Sequence, residues 1–547
     1  MVTRSMLALA LLAACGPPAP SARVERVVDA LVWSEQQKLL PSNSQDSQNF
    51  GTAVAIAGDT AVVGAPEDDD GGTDAGALYV FERNDTGWSE QEKIAASAAG
   101  ELFGDPLAME GDTLVVGAAT ADNGAGAVYV FVRSGTSFVE EQRLTASDAQ
   151  EGDAFGRSVD ISADSLVVGA NNATSSLGAA YVFVRSGTVW SEQQKLTASD
   201  GQPQDQFGIA VAIAGDTLVA GSTGASVASV ARAGAAYAFV RSGSTWSQQQ
   251  KLVASNPQPN EEIGQAVALD ADTALIGAPK ANTNTGRVSV FTRSGSTWSE
   301  AAPLAASDAE MGDAFGFVVA MAGDVAVVGV PEDDTPASGA GSAYVFRRAG
   351  NAWNEEQRID AADGATLDYF GDAVALDGDT VVAGAPFDDI GAIFQAGSAY
   401  AFVLLGGACT DGSACGSAHC VDGVCCAQRA CGPCGRCNLA GAEGNCGPVP
   451  LGDPGDGSCA PYACDGASEM CPRSCSDDVE CSEGAGCDAT GHCVPLGELA
   501  ASCASDDECA SGHCSDGVCC DAVCGDACDR CDLSGHEGTC TIVDCGG

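Results

Sequence analysis

Three short acidic runs are the first residues of this chain whose types and spacing suit chemistry: Glu67-Asp68-Asp69-Asp70, Glu332-Asp333-Asp334 and Asp388-Asp389. Hard divalent cations such as calcium take carboxylate oxygens, so each run is a candidate cation or ligand loop. The plainer alternative is a solvated charge run. A second acidic series precedes a recurring Phe-Gly pair by two residues: Gln48, Glu101, Asp153, Asp205, Glu261, Asp313 and Asp368. It reads either as a cation-collecting rim or as side chains capping the turn into a strand, and the cap is preferred. No residue is assigned to catalysis. His419, His492, His513 and His536, the only histidines, and every cysteine except Cys15 lie beyond residue 405. Residues 31–405 therefore hold no Ser-His-Asp triad, Cys-His pair or His-bearing zinc site. Acids for a paired-carboxylate glycosidase are abundant, but no pair stands out. The chain is expected to bind and not to catalyse.

The elements that must position these loops are repeats. The Phe-Gly mark, or its substitute, recurs at Phe50, Phe103, Phe155, Phe207, Ile263, Phe315 and Phe370, spaced 52 to 56 residues apart. Such a period marks a repeat architecture. Each unit holds an apolar alternating run, a Gly-Asp or Ala-Asp turn, a second run such as Thr60 to Pro66, and a variable loop. A third run carrying Tyr-x-Phe or a variant follows, and then a fourth opening on an aromatic. Four short strands with period-2 alternation and no helical pattern describe one propeller blade. Tyr79 and Phe81, two apart, share a face. All six tryptophans, Trp33, Trp88, Trp190, Trp246, Trp298 and Trp353, open fourth strands with Phe138 in the remaining slot, and they read as core. The chain begins with a fourth strand, Val32 to Leu39, and its last unit lacks one. The expected fold is therefore all-β: a seven-bladed β-propeller over residues 31–405, closed by an N-terminal strand so that no sheet edge is left bare.

Phe-Gly followed about a dozen residues later by Gly-Ala-Pro (Gly64-Ala65-Pro66, Gly277-Ala278-Pro279, Gly384-Ala385-Pro386, with Gly329-Val330-Pro331 close) resembles the FG-GAP repeat. That family builds the seven-bladed propeller of integrin α-subunits and of many bacterial surface proteins, and the resemblance implies an adhesion or ligand-binding role. Ala118-Ala119, Ala170-Asn171 and Ser222-Thr223 depart from the motif. Integrin-like repeats also often carry a calcium loop between their first two strands. Here that connection is a tight turn, from Gly58-Asp59 through Gly378-Asp379. Two or three residues cannot supply the six or more oxygens calcium takes. The recurrent Asp is read instead as turn chemistry, its carboxylate bonding the backbone.

The ends and the bulk composition set the compartment. Arg4, the apolar stretch Met6 to Ala14 and Leu12-Ala13-Ala14-Cys15 resemble a bacterial lipoprotein signal, with residues 1–14 removed, Cys15 lipidated and 15–30 a tether. The remaining 26 of the 27 cysteines fall between Cys409 and Cys545. In an exported protein that density implies disulfides rather than zinc, so 409–547 reads as small disulfide-rich modules. His-Cys-x-Asp-Gly-Val-Cys-Cys, at His419 to Cys426 and His513 to Cys520, resembles cysteine-rich modules of myxobacterial secreted proteins. A formal charge of −51 repels phosphate backbones, so nucleic acid is excluded as a partner. The expectation is a lipoprotein of the bacterial outer membrane or cell surface, its lipid the only membrane attachment. Its propeller loops would serve as a binding or adhesion platform for an extracellular protein or polysaccharide. A structural envelope protein without a discrete ligand and an extracellular polysaccharide-active enzyme are the alternatives.

Overall fold

A computed structural model describes residues 32–405, apart from 85, 86 and 97, together with short paired strands between 420 and 542. Cys15, the signal and tether segments 1–30 and the side chains of the cysteine-rich region lie outside the described residues.

Residues 32–405 form seven four-stranded antiparallel sheets, each built as the repeat predicts. In blade 1 the strands are Ala53–Ala57, Thr60–Ala65, Ala77–Asn84 and Gly87–Ala95. Five further blades follow in sequence order. The seventh joins Ala373–Asp377, Thr380–Ala385 and Ser398–Leu405 to Val32–Leu39, which runs antiparallel to Ser398–Leu405 from Val32↔Leu405 to Leu39↔Ala399. Side chains on both faces of each sheet are buried because each blade is sandwiched between two others. Inside blade 1, Phe50 stands edge-on to Tyr79 and Phe81, with ring centroids 5.3 and 6.1 Å away. The same triad recurs in every blade except the fifth, where Ile263 and Ser289 replace two of its rings. Five of the six tryptophans and Phe138 are buried, and Trp353 is half-buried, in keeping with a core role.

The joints between blades explain why the repeat is written as it is. A Cβ on Gly64 would lie 2.0 Å from the Gly104 carbonyl oxygen. The glycine of one blade's Gly-Ala-Pro strand thus touches the glycine of the next blade's Phe-Gly. The contact recurs at all seven joints and ends with Gly384 against Gly51, which joins blade 7 to blade 1. On the outside, the fourth-strand Gln37 accepts from Trp88 N (2.8 Å) and donates to Trp88 O (2.8 Å), clamping one outer strand to the next. Gln142, Gln194, Gln250 and Gln357 do the same for Trp190, Trp246, Trp298 and Trp33.

A third link uses the arginine of the third strand. Arg83 lies over Trp88, donates through Nε to the Asp59 carboxylate (2.8 Å) and through Nη1 to Thr380 of the preceding blade (2.8 Å). In five of the seven blades the recurrent turn aspartate is therefore an arginine partner, where the sequence suggested a backbone cap. The turn is already closed by its own ladder, which leaves the carboxylate free to pair sideways. Arg241, Arg293 and Arg348 repeat the arrangement with Asp216, Asp272 and Asp324.

In the cysteine-rich region the two sequence copies form equivalent hairpins: Cys420–Val421 with Val424–Cys425, and Cys514–Ser515 with Val518–Cys519.

Candidate functional site

The inner strands start at the Phe-Gly marks on one end of the ring. The variable loops after Gly-Ala-Pro and the connections between blades emerge at that same end, which is the loop face.

Two loop designs share this face. The residue four beyond the Gly of Gly-Ala-Pro accepts a backbone hydrogen bond from the glycine that opens the third strand in every blade. It is a buried Ala in blades 2 to 5 (Ala121, Ala173, Ala225, Ala281) and Asp68, Asp333 or Asp388 in blades 1, 6 and 7. These three carboxylates are buried. Asp68 accepts from the Tyr79 hydroxyl (2.8 Å) and from Lys93 (2.8 Å). Asp333 meets Ser342, Tyr344 and Arg358, and Asp388 meets Ser398, Tyr400 and Lys38. The next aspartate closes its own loop. Asp69 accepts from Asp74 N (2.9 Å), Asp334 from Gly339 N (2.9 Å) and Asp389 from Gln395 N (2.8 Å). In each loop the first aspartate of the pair thus meets a cation and the second ties the loop's own backbone.

Three acids of the predicted set remain. Lys93 holds the Asp70 carboxyl below its usual range, with burial opposing and with help from Gln45 and Asn43. Burial, followed by the nearby Asp74 charge, pushes Glu67 up. Glu332 lines a cleft of about 340 Å3 with Asp334, Leu367 and Tyr369. No group of three or more metal-type side chains converges among the described residues. Met311, Leu367 and Phe394 are exposed on or beside the inter-blade and loop segments of blades 6 and 7. Sequence reasoning did not single them out, and only their lack of a repeated apolar counterpart marks them.

The series two residues before Phe-Gly turns inward. Asp153, Asp205, Glu261, Asp313 and Asp368 are buried and accept the backbone N–H three residues earlier, at 2.6 to 3.1 Å, and Gln48 does so through Oε1. Glu101 instead accepts from the Tyr129 hydroxyl (3.0 Å). The preferred cap reading describes this geometry.

On the axis itself, three residues from each of the seven inner strands enclose a cavity of about 350 Å3. Its lining includes the residue after each Phe-Gly mark: Thr52, Asp105, Arg157, Ile209, Gln265, Phe317 and Asp372. Sequence reasoning missed this set, because a position that differs in nearly every copy looks like noise until the ring brings the copies together. Arg157 stands 4.0 Å from Asp105. Burial pushes the Asp105 carboxyl up against the pull of Arg157, and burial with the Asp105 charge brings Asp372 to about 7.

Seven FG-GAP repeats match this chain, at residues 33–81, 88–131, 138–183, 190–239, 246–291, 298–346 and 353–402. The chain belongs to the FG-GAP repeat family. Propellers of this family are generally non-enzymatic and serve binding or structural roles of an extracellular type. No curated protein matches. A candidate 6-phosphogluconolactonase from Bacteroides uniformis, solved by crystallography, aligns with 57% of this chain and 85% of its own at 11% identity. Its TM-score of 0.40 is too low to bear on function.

Proposed function

We propose that this FG-GAP protein is an exported, lipid-anchored surface protein, held to the bacterial envelope through Cys15. Its propeller would bind an extracellular protein or polysaccharide through the loop face of blades 6, 7 and 1. One observation carries the reading: the three two-aspartate loops are consecutive around the ring, and the exposed Met311, Leu367 and Phe394 stand among them. Rigid loops of distinct sequence on a repetitive scaffold are where binding specificity sits. An exposed apolar group rimmed by polar residues marks an interaction site. The seven loop aspartates already have protein partners, so binding is expected to be independent of calcium. Pairing of Val32–Leu39 with Ser398–Leu405 supports a clasp that keeps this face rigid. The cysteine density supports a disulfide-stapled C-terminal region that stands in for a hydrophobic core.

The test is binding of fluorescent, unlipidated residues 31–547 to intact bacterial cells and to isolated surface polysaccharide, with calcium or with chelator. Saturable binding that persists in chelator and is lost in a Leu367→Asp, Phe394→Asp variant is the expected result. Absence of binding to every surface would leave the structural envelope reading in its place.

A further inference from the structure

The loop face does not use the axis. In this chain most inner-strand positions repeat: Phe then Gly, and Val or Leu three residues after the Gly. The position directly after the Gly does not, carrying six residue types in seven copies. Packing cannot explain the variety, since all seven side chains are half-buried and line the axial cavity rather than a joint.

The arrangement around the ring is ordered. Asp372 of blade 7 and Asp105 of blade 2 flank Thr52 of blade 1, so two carboxylates border one hydroxyl. Neither carboxylate has a hydrogen-bond partner among the described residues, and the nearest guanidinium nitrogen, on Arg157, is 4.0 Å from Asp105. With both acids ionised, two aspartates against one arginine give the mouth a net negative charge. Ile209 of blade 4 and Phe317 of blade 6 supply apolar surface on the other side, with Gln265 between them. The cavity, about 350 Å3, falls in the ~300–1,000 Å3 range of small-molecule sites and is too small for a folded partner. Only two carboxylates line the mouth, and no group of three or more metal-type side chains converges among the described residues, so the mouth is not built as a calcium cage.

We propose that the axial mouth is a second binding site, for a small organic cation: a primary ammonium held between Asp105 and Asp372, with an apolar stem against Ile209 and Phe317. The ammonium supplies the donors that both carboxylates lack, and desolvation by the ring strengthens that pairing over its value in water. The site is independent of the loop-face reading, so either can fail alone.

The experiment uses the full chain and two probes of nearly equal shape, n-butylammonium and n-butanol, titrated by calorimetry at about pH 8. Saturable binding of butylammonium, with none for butanol, is expected. Affinity should fall tenfold or more in Asp105→Asn and Asp372→Asn, and Asp59→Asn at the opposite end of the ring should leave it unchanged. Thr52→Arg, which places an internal guanidinium between the two acids, should abolish binding while the thermal transition persists. Equal binding of the two probes, no saturable binding of either, or butylammonium affinity indifferent to all three mouth variants would overturn the assignment. So would calcium that binds saturably and competes with butylammonium.

Discussion

At the scale of single residues, the glycines of the motif are held by contact more than by conformation. Gly384 has no positive φ, yet a Cβ there would lie 1.9 Å from the Gly51 carbonyl oxygen, which is backbone and cannot swing away. Gly135 is the useful contrast: its φ is +70° and a Cβ would meet nothing within 4 Å. Overpacking a tight contact costs ~1–3 kcal/mol, and left-handed strain alone costs ~1–2 kcal/mol. Gly384→Ala should therefore lower the urea midpoint more than Gly135→Ala does, and it should do so by opening the joint between blades 7 and 1. Urea titration followed by tryptophan fluorescence reads both variants. If Gly135→Ala is the costlier, the glycine-on-glycine account of the motif is wrong. The same scale explains what happened to the acidic runs. Their clustering in three repeats was legible in the sequence. That Asp68, Asp333 and Asp388 sit inside their loops was not, because Lys93, Arg358 and Lys38 reach them from strands 20 or more residues away or from the other end of the chain.

At the scale of elements, one joint breaks the arginine link, and it does so on both sides at once. The blade 7 position equivalent to Arg83 is Leu404, whose N–H still bonds the Asp379 carbonyl (2.9 Å) as Arg83 N bonds that of Asp59 (2.8 Å). The blade 6 position that should offer a hydroxyl to it is Val325, and both side chains belong to one buried apolar cluster. An ionic and hydroxyl pair has been replaced by an apolar pair at the joint beside the N-terminal strand. Asp379, left without its arginine, is pushed up by burial against the pull of Arg347 and Arg83. Leu404→Arg alone is expected to destabilise by ~1–2 kcal/mol, since it sets a guanidinium against Val325. Adding Val325→Thr should recover at least half of that, a coupling within the ~0.5–3 kcal/mol seen for contacting residues. A double-mutant cycle in urea measures it, and strictly additive effects would refute the pairing. The blades themselves were readable beforehand, because strand period, turn residues and the Phe-Gly spacing are local signals. Which departures compensate each other was not readable, because Val325 and Leu404 meet only once the sheets are stacked.

At the scale of the whole molecule, the propeller is an unusual subject for pH measurement because residues 31–405 contain no histidine. Ordinary carboxylates are fully ionised by about pH 6, so between pH 6 and 8 the propeller titrates chiefly through carboxyls that its own packing has raised. Two reach about 7. Asp372 lies in the axial mouth. Asp160, the one acid at an inner-strand position that is Ala in the other six blades, is raised by burial and then by the Glu110 charge. The N–H groups of Ile213 and Ile161 pull it the other way. A carboxyl whose folded pKa lies above its unfolded value binds more protons in the folded state, so its stabilising protonation is lost as pH rises through the folded pKa. Stability should thus fall from about pH 4 through pH 7 and flatten by pH 8. Carboxyls held low, such as Asp148 beside Lys195 and Tyr181, act oppositely and only below about pH 4, where their protonation would weaken the fold. The maximum is then expected near pH 4. Replacing Asp160 with the Ala of its sister blades removes two hydrogen bonds, from Ile161 (2.9 Å) and Ile213 (2.7 Å), so some stability is lost at pH 5. The same change removes a titrating group, so the decline from about pH 4 through pH 7 should become shallower. Urea midpoints at four pH values, for the parent chain and for Asp160→Ala, separate the two effects. An unchanged slope would mean that Asp160 is ionised throughout and that the two N–H groups, not burial, set its charge.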